Sequence, residues 1–268
     1  MLSDVTAPTR SELDIARADR EQLASLVDSS RPDVVINCVA YTAVDEAEKH
    51  EEESNKVNGY AVGCLAGISA DSGVPLVTFS TDHVFDGQTS QPYVESSTCR
   101  PINAYGRSKL LGERLAFEAN PRTLMIRTSW VISATHPNFV SKVLTSALRA
   151  QPVRAVDDQR GTPTIVSDLA AATIEAIEQA ATGLLHLTNQ GSATWFDLAQ
   201  AAVEVAGLDP DLVTPCTTAD YPTAAPRPAF SVLGSERLDE VGVSALPPWN
   251  ESLSSVVNGV LGRRVARP

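Results

Sequence analysis

Leu76-Val-Thr-Phe79, running straight into Ser80-Thr-Asp-His83, is an apolar run too short for a helix that breaks into hydroxyls and a carboxylate. Helical patterns flank it, Ser54 to Ser72 before and Tyr105 to Glu118 after. Working outward, the unit repeats. Val34-Val-Ile-Asn-Cys-Val39 precedes the first of those helices, Leu124-Met-Ile-Arg-Thr128 follows the second, and Arg20 to Ser29 supplies an earlier helix. Apolar runs alternating with amphipathic stretches mark a parallel sheet covered by helices on both faces. The right-handed crossover makes this a doubly wound α/β fold, with any ligand crevice at the carboxyl ends of the strands.

Beyond Trp130 the rhythm continues less regularly, with helices at Phe139 to Arg149 and Ser167 to Ala180 and a strand at Leu184 to Leu187. From Asn189 onward proline is frequent and the elements read as short, which predicts a smaller carboxyl-terminal α/β lobe. No repeat or low-complexity segment interrupts the chain.

The 268 residues, 43% hydrophobic and 20% charged, can bury a substantial core. A formal net charge of −12 argues against nucleic acid or anionic membrane as partner, because both would repel it at long range. An anionic small substrate would need local basic residues, and Arg160 and Arg227, each among glycine or proline in a predicted loop, are candidates. Cys38, Cys64, Cys99 and Cys216 form no Cys-x-x-Cys pair, so reduced thiols are expected. No metal site is expected from cysteines and histidines so scattered. With neither a secretory pattern at the start nor a membrane-length apolar run, the protein is expected to be cytoplasmic.

Three segments at strand ends or helix starts carry chemistry. In Tyr105-Gly-Arg-Ser-Lys109 the spacing of four places phenol and ammonium on one helix face. Acid/base use of a tyrosine near neutral pH needs a shift of about three units, roughly 4 kcal/mol. An ammonium about 4 Å away supplies that much at an effective dielectric of 20. Standing alone, Tyr-x-x-x-Lys more often marks a solvated helix pair. Thr81, where the apolar strand breaks, is suited to hydrogen-bond a substrate carbonyl, although Ser80, Thr81 and Asp82 also read as ordinary loop caps. Asn37 to Thr42 ends a buried strand in small residues that a flat cofactor could approach, or that simply pack.

Together, Tyr105, Lys109 and Thr81, the last twenty-four positions before the tyrosine, resemble the catalytic set of extended short-chain dehydrogenases/reductases. More closely, Arg31-Pro-Asp-Val-Val-Ile-Asn37, Tyr41-Thr-Ala-Val-Asp45-Glu-Ala-Glu48, Ser80-Thr-Asp-His-Val-Phe85 and Arg127-Thr-Ser-Trp130 resemble successive signatures of the dTDP-4-dehydrorhamnose reductase family. Asp158-Gln-Arg-Gly161-Thr-Pro163 and Pro226-Arg-Pro-Ala-Phe-Ser-Val-Leu233 fit as well, so the likeness runs from about Ser11 to the end.

The resemblance implies a Rossmann-like dinucleotide-binding domain over residues 1–187, and a substrate lobe over 188–268 interleaved with parts of 129–165. It implies that Tyr105 donates a proton to the carbonyl oxygen and that Thr81 holds that oxygen. Lys109 would bind the nicotinamide ribose and lower the tyrosine pKa. Asp82 and Trp130 would contact the nucleotide sugar, with Arg227 beside them. Asp14, Ile15, Val39, Ala40 and Tyr41 would line the cofactor together with Tyr105 and Lys109. The implied reaction is hydride transfer from NADPH, or NADH, to the 4-keto carbon of dTDP-4-dehydro-L-rhamnose, giving dTDP-L-rhamnose. A homodimer is the implied assembly. Mg2+ enters only by association with some family members, since no acidic cluster here has the spacing of a site.

Two features depart from the family. His83 stands where a tyrosine is common. No glycine occurs before Gly59, so the strand, glycine-rich turn and helix that open a dinucleotide fold are not found. Gly59, Gly63 and Gly67, spaced by four within a helical pattern, read as a close-packing stripe rather than a substitute loop. The intact Thr81, Tyr105 and Lys109 favour a start codon assigned too far downstream over a shortened gene or a degenerate relative. Two other functions compete: a non-catalytic binding or regulatory subunit on the same scaffold, as in the beta subunit of methionine adenosyltransferase, and a nucleotide-sugar epimerase or dehydratase.

Overall fold

The computed structural model describes residues 4–265. Helix α1 (Arg20–Ser30) leads to β1 (Val35–Asn37). The short helices α2 (Val44–Ala47) and α3 (Glu51–Asn55) then run through a π-helical turn, Lys56–Tyr60, into α4 (Ala61–Ser72) and β2 (Leu76–Thr81). A 3-10 turn at Asp82–Val84 and a loop precede α5 (Ala104–Ala119) and β3 (Leu124–Thr128). Next come β4 (Val131–Ile132), α6 (Phe139–Ala147), β5 (Val153–Val156), β6 (Arg160–Gly161), β7 (Thr164–Ile165), α7 (Val166–Glu178) and β8 (Gly183–His186). The chain continues with β9 (Ala193–Thr194), α8 (Trp195–Val205), β10 (Val213–Cys216), α9 (Leu238–Val241) and α10 (Trp249–Val265).

Strands β1, β2, β3 and β8 lie side by side in that order, all parallel, with Val35 opposite Leu76, Val77 opposite Leu124 and Leu124 opposite Gly183. Alternate strand residues face opposite sides. Leu76 and Met125 therefore pack with Leu23, Val27, Leu65 and Ala116 of α1, α4 and α5, while Val77, Leu124 and Ile126 meet Leu169, Ala172 and Ala176 of α7. Both faces are covered, as a doubly wound sheet requires.

Helix ends follow their local chemistry. Asp19 and Gln22 form a capping box that starts α1, and Gly73, at φ 71°, ends α4 in the left-handed conformation that glycine adopts without strain. The expected glycine stripe packs closely: a Cβ on Gly59 or Gly63 would come within 2.7 Å of Leu111 or Leu115 of α5.

Two expectations need correction. The helix read as Ser54 to Ser72 begins at Glu51 and carries the π-helical turn, which periodicity averaged over the whole segment conceals. The stretch beyond Asn189, read as short elements, holds two long helices, α8 of 11 residues and α10 of 17. Its prolines fall mostly between helices, and Pro247-Pro248 directly precedes α10. A Thr194–Asp197 capping box starts α8. Leu144 of α6, Leu198 of α8 and Val257 of α10 join Ile132 and Ile165 in a second apolar cluster. Among the described residues no helix is long and apolar enough to cross a membrane.

Candidate active site

Helix α5 enters the crevice at its amino end. Asn103 caps it by accepting from the Gly106 amide at 2.8 Å, and Glu48 accepts from the Ala104 amide at 2.7 Å. The Asn103 amide nitrogen also lies 2.9 Å from His83 Nδ1 and donates to the Pro226 carbonyl at 2.9 Å. Residue 106 has to be glycine, because a Cβ there would stand 2.1 Å from the His83 carbonyl oxygen. That close approach lays the first turn of α5 against the 3-10 turn after β2 and brings Tyr105 to the end of the strand carrying Thr81.

Tyr105 and Lys109 share one face of α5, as the spacing predicts. Lys109 is 5% exposed, and its ammonium makes no hydrogen bond or ion pair among the described residues. Burial draws its pKa down to about 8, against an upward pull from Glu113. Burial pushes the Tyr105 phenol up to about 12; hydrogen bonding to the Thr81 side chain acts the other way, and the Asp82 charge adds to the rise. The sequence-based expectation of a phenol lowered by its lysine is therefore reversed in the free protein. Desolvation acts on both groups and favours the neutral form of each.

Thr81 and Asp82 are buried at the mouth of the crevice. The Thr81 hydroxyl donates to Asp82 Oδ1 at 3.0 Å and accepts from the His83 amide at 3.2 Å. The second Asp82 oxygen, Oδ2, is buried with no partner among the described residues. A buried carboxylate oxygen and a buried ammonium, both unsatisfied beside a phenol, are costly in a closed core; they fit a polar ligand that completes them.

The remaining expected residues divide. Val39, Ala40 and Tyr41 follow β1 at the same strand ends, with Val39 51% exposed. Asn58, in the π-helical turn, accepts from the Tyr41 amide at 2.8 Å and donates to the Tyr41 carbonyl at 3.0 Å and to Ser108 Oγ at 2.9 Å. It thus ties that segment to α5 next to Lys109. Trp130, at φ 45°, stacks on Trp195 with ring centroids 3.6 Å apart. No hydrogen bond or ion pair among the described residues joins Asp14 to the tyrosine cluster. Asp14 lies near Arg10 and Arg17, and Ile15 packs on the apolar cluster of α1 and α4.

Arg227, expected to be available to an anion, is already engaged. Its guanidinium donates to Asp45 Oδ2 at 3.0 Å and to the Ala225 carbonyl at 2.7 Å. Burial works to raise the Asp45 carboxyl, but the Ala225 amide and the Arg227 guanidinium outweigh it and hold it below its ordinary range. The pair pins the segment around Pro226 beside the first turn of α5. Arg160 is likewise paired, 3.6 Å from Asp197.

Residues 2–261 match the family model described as RmlD substrate binding domain. The chain belongs to this family. Among RmlD relatives it is 39% identical to the dTDP-4-dehydrorhamnose reductase of Burkholderia thailandensis, over 98% of this chain and 93% of that one. It is 37% identical to the dTDP-4-keto-6-deoxy-D-glucose reductase of Streptomyces niveus, covering 93% and 86%. A crystal structure of the dTDP-4-dehydrorhamnose reductase from Bacillus anthracis in complex with NADP superposes with a TM-score of 0.88 at 33% identity, over 92% of this chain and 87% of that one.

Sequence reasoning missed several residues around this RmlD site. Asn58 left a signal, an Asn-Gly pair inside a helical pattern, but its partners are 17 and 50 residues away. His83, read only as a departure at a position where a tyrosine is common, sets its ring edge-on to Tyr105 at 5.5 Å. Burial lowers its pKa, outweighing the upward pull of the Asp82 charge, and the Arg227 charge acts in the same sense as burial. Glu48 and Asp45 gave no signal beyond their place in Tyr41-Thr-Ala-Val-Asp45-Glu-Ala-Glu48, and Asn103 lay outside every quoted motif.

Proposed function

We propose that this chain reduces the 4-keto group of a dTDP-4-keto-6-deoxy sugar with NAD(P)H: dTDP-4-dehydro-L-rhamnose is the substrate, dTDP-L-rhamnose the product and NADPH the reductant. The observation that carries the reading is the convergence of Thr81, Tyr105 and a buried, unpartnered Lys109 at the carboxyl ends of the strands. Relatives named for this reductase chemistry, and one solved with NADP, support it.

The bound cofactor would supply the hydride to the carbonyl carbon. Lys109 would hold the hydroxyls of the nicotinamide ribose, which satisfies its ammonium. Tyr105, kept protonated by burial, would give its proton to the carbonyl oxygen, and the Thr81 hydroxyl, turned from Asp82 Oδ1, would donate a hydrogen bond to the same atom. Lys109, still charged below about pH 8, would stabilise the phenolate that results. The free Asp82 oxygen would accept from a sugar hydroxyl, and Trp130 and Arg227 would border the nucleotide sugar. Val39, Ala40 and Tyr41 would flank the cofactor near β1, with Asp14 and Ile15 further along it. The reading assigns no residue to Mg2+.

The test is an assay of the chain with dTDP-4-dehydro-L-rhamnose and NADPH or NADH, following coenzyme oxidation and the configuration of the product sugar. Stoichiometric formation of dTDP-L-rhamnose is expected. Absence of turnover with both coenzymes, or a product epimerised without coenzyme consumption, overturns the proposal.

A further inference from the structure

Tyr105, Lys109 and Glu113 stand four residues apart and so lie on one stripe of α5. The first two belong to the proposed chemistry. Glu113 does not, yet it is 4% exposed and fully bonded. Its Oε1 accepts from Ser80 Oγ at 2.5 Å and from Arg127 Nε at 2.9 Å, and its Oε2 accepts from Arg127 Nη2 at 2.6 Å. Ser80 is the residue before Thr81 on β2, and Arg127 is on β3. One carboxylate therefore ties the helix bearing Tyr105 and Lys109 to the two central strands.

The connection continues away from the crevice. Arg127 Nη1 lies 3.3 Å from His186 Nε2 on β8, and His186 Nδ1 lies 2.8 Å from the Gly234 carbonyl. The Arg127 guanidinium sits 5.1 Å above the Phe85 ring, which stacks on Tyr93.

A buried ion pair is weak evidence of stabilisation, because desolvation offsets its attraction and an apolar pair of similar volume holds a core as well. What the pair adds is direction. A two-pronged guanidinium–carboxylate contact plus a hydroxyl donor fixes distance and angle in a way apolar packing does not.

We infer that Glu113 and Arg127 form a positioning couple for the reductase reaction, fastening the helix that carries Tyr105 and Lys109 to the strand that carries Thr81 and so setting the gap between proton donor and oxygen-binding hydroxyl. The inference rests on the proposed reduction. Neither residue touches substrate; both act through the groups they hold.

The experiment compares wild type, the double variant Glu113→Leu/Arg127→Met and the single variant Ser80→Ala. In the double variant kcat should fall about 10- to 100-fold, as misplacement by an ångström costs, while KM for the nucleotide sugar and the denaturation midpoint change little. Ser80→Ala, which removes only the strand-side hydrogen bond, should lower kcat several-fold at unchanged KM. A purely structural role would move the denaturation midpoint and leave kcat per folded molecule alone; a folded double variant with wild-type kcat overturns the inference. If the double variant does not fold, Ser80→Ala decides, and wild-type kcat in it overturns the inference.

Should wild type itself show no turnover, the reductase reading falls, and amide hydrogen exchange still reads the coupling. The double variant should then exchange at least tenfold faster at residues 80–83 and 104–109 than at β1, and Ser80→Ala should show the same local bias. Unchanged exchange there overturns the inference.

Discussion

Lys109 and Arg127 are both buried cations near the same carboxylate, and the protein treats them in opposite ways. Arg127 is closed. Glu113, His186, Cys99 and the Phe85 face surround its guanidinium. Burial works to lower its pKa, but the bonds and charge of Glu113 prevail and hold it above its ordinary value. Lys109 is open: burial wins and draws it down to about 8. The contrast separates a charge satisfied inside the protein from one that burial leaves unsatisfied among the described residues. An unpaired buried charge in a crevice is costly, which marks it as a candidate ligand site.

The largest effect expected from the open side is at the proton donor. Tyr105→Phe should lower kcat by about 10² to 10⁴ without altering stability appreciably; kinetics beside a denaturation curve check it, and near-wild-type turnover would remove the phenol from the chemistry. On the closed side, Arg127→Ala strands the Glu113 carboxylate and should cost about 3–5 kcal/mol of stability, read from urea midpoints.

Lys109→Met sharpens the comparison because its stability sign is reversed. Removing an unpaired buried ammonium should stabilise the free fold by roughly 1–3 kcal/mol near pH 7, from its pKa depression, while weakening NADPH binding. A loss of stability equal to that of Arg127→Ala would erase the distinction between the two cations.

The last effect is in pH. The folded pKa of Lys109 lies below its ordinary 10.5, so its burial penalty is fully present below about 8 and fades as pH rises toward 10.5. This group's share of stability should thus improve above pH 8. Over the same range kcat/KM should fall as the ammonium discharges, by up to tenfold per unit. Denaturation and rate profiles from pH 7 to about 10 test whether the two trends oppose each other.

The closed side was nearly invisible in the sequence. Glu113 read as one more helix residue and Arg127 as the opening of Arg127-Thr-Ser-Trp130; only the parallel pairing of β2 with β3 under α5 brings Ser80, Glu113 and Arg127 together. Trp130 was legible as a candidate, but its stack on Trp195 was not, since α8 lay in a stretch read as short elements. Arg227 looked available because its neighbours signal a loop, and the carboxylate that engages it lies 182 positions away.

The alternation of β1, β2, β3 and β8 with α1, α4, α5, α6 and α7, and the sharing of one helix face by Tyr105 and Lys109, were determined by the sequence itself. Both depend on repeats of two or of 3.6 residues along a single element. Whether each charge is satisfied, whether the phenol rises or falls in pKa, and that Arg227 is engaged rather than available were decided only by tertiary structure. Desolvation and pairing depend on groups brought within a few ångströms across long sequence separations, and no local pattern encodes that distance.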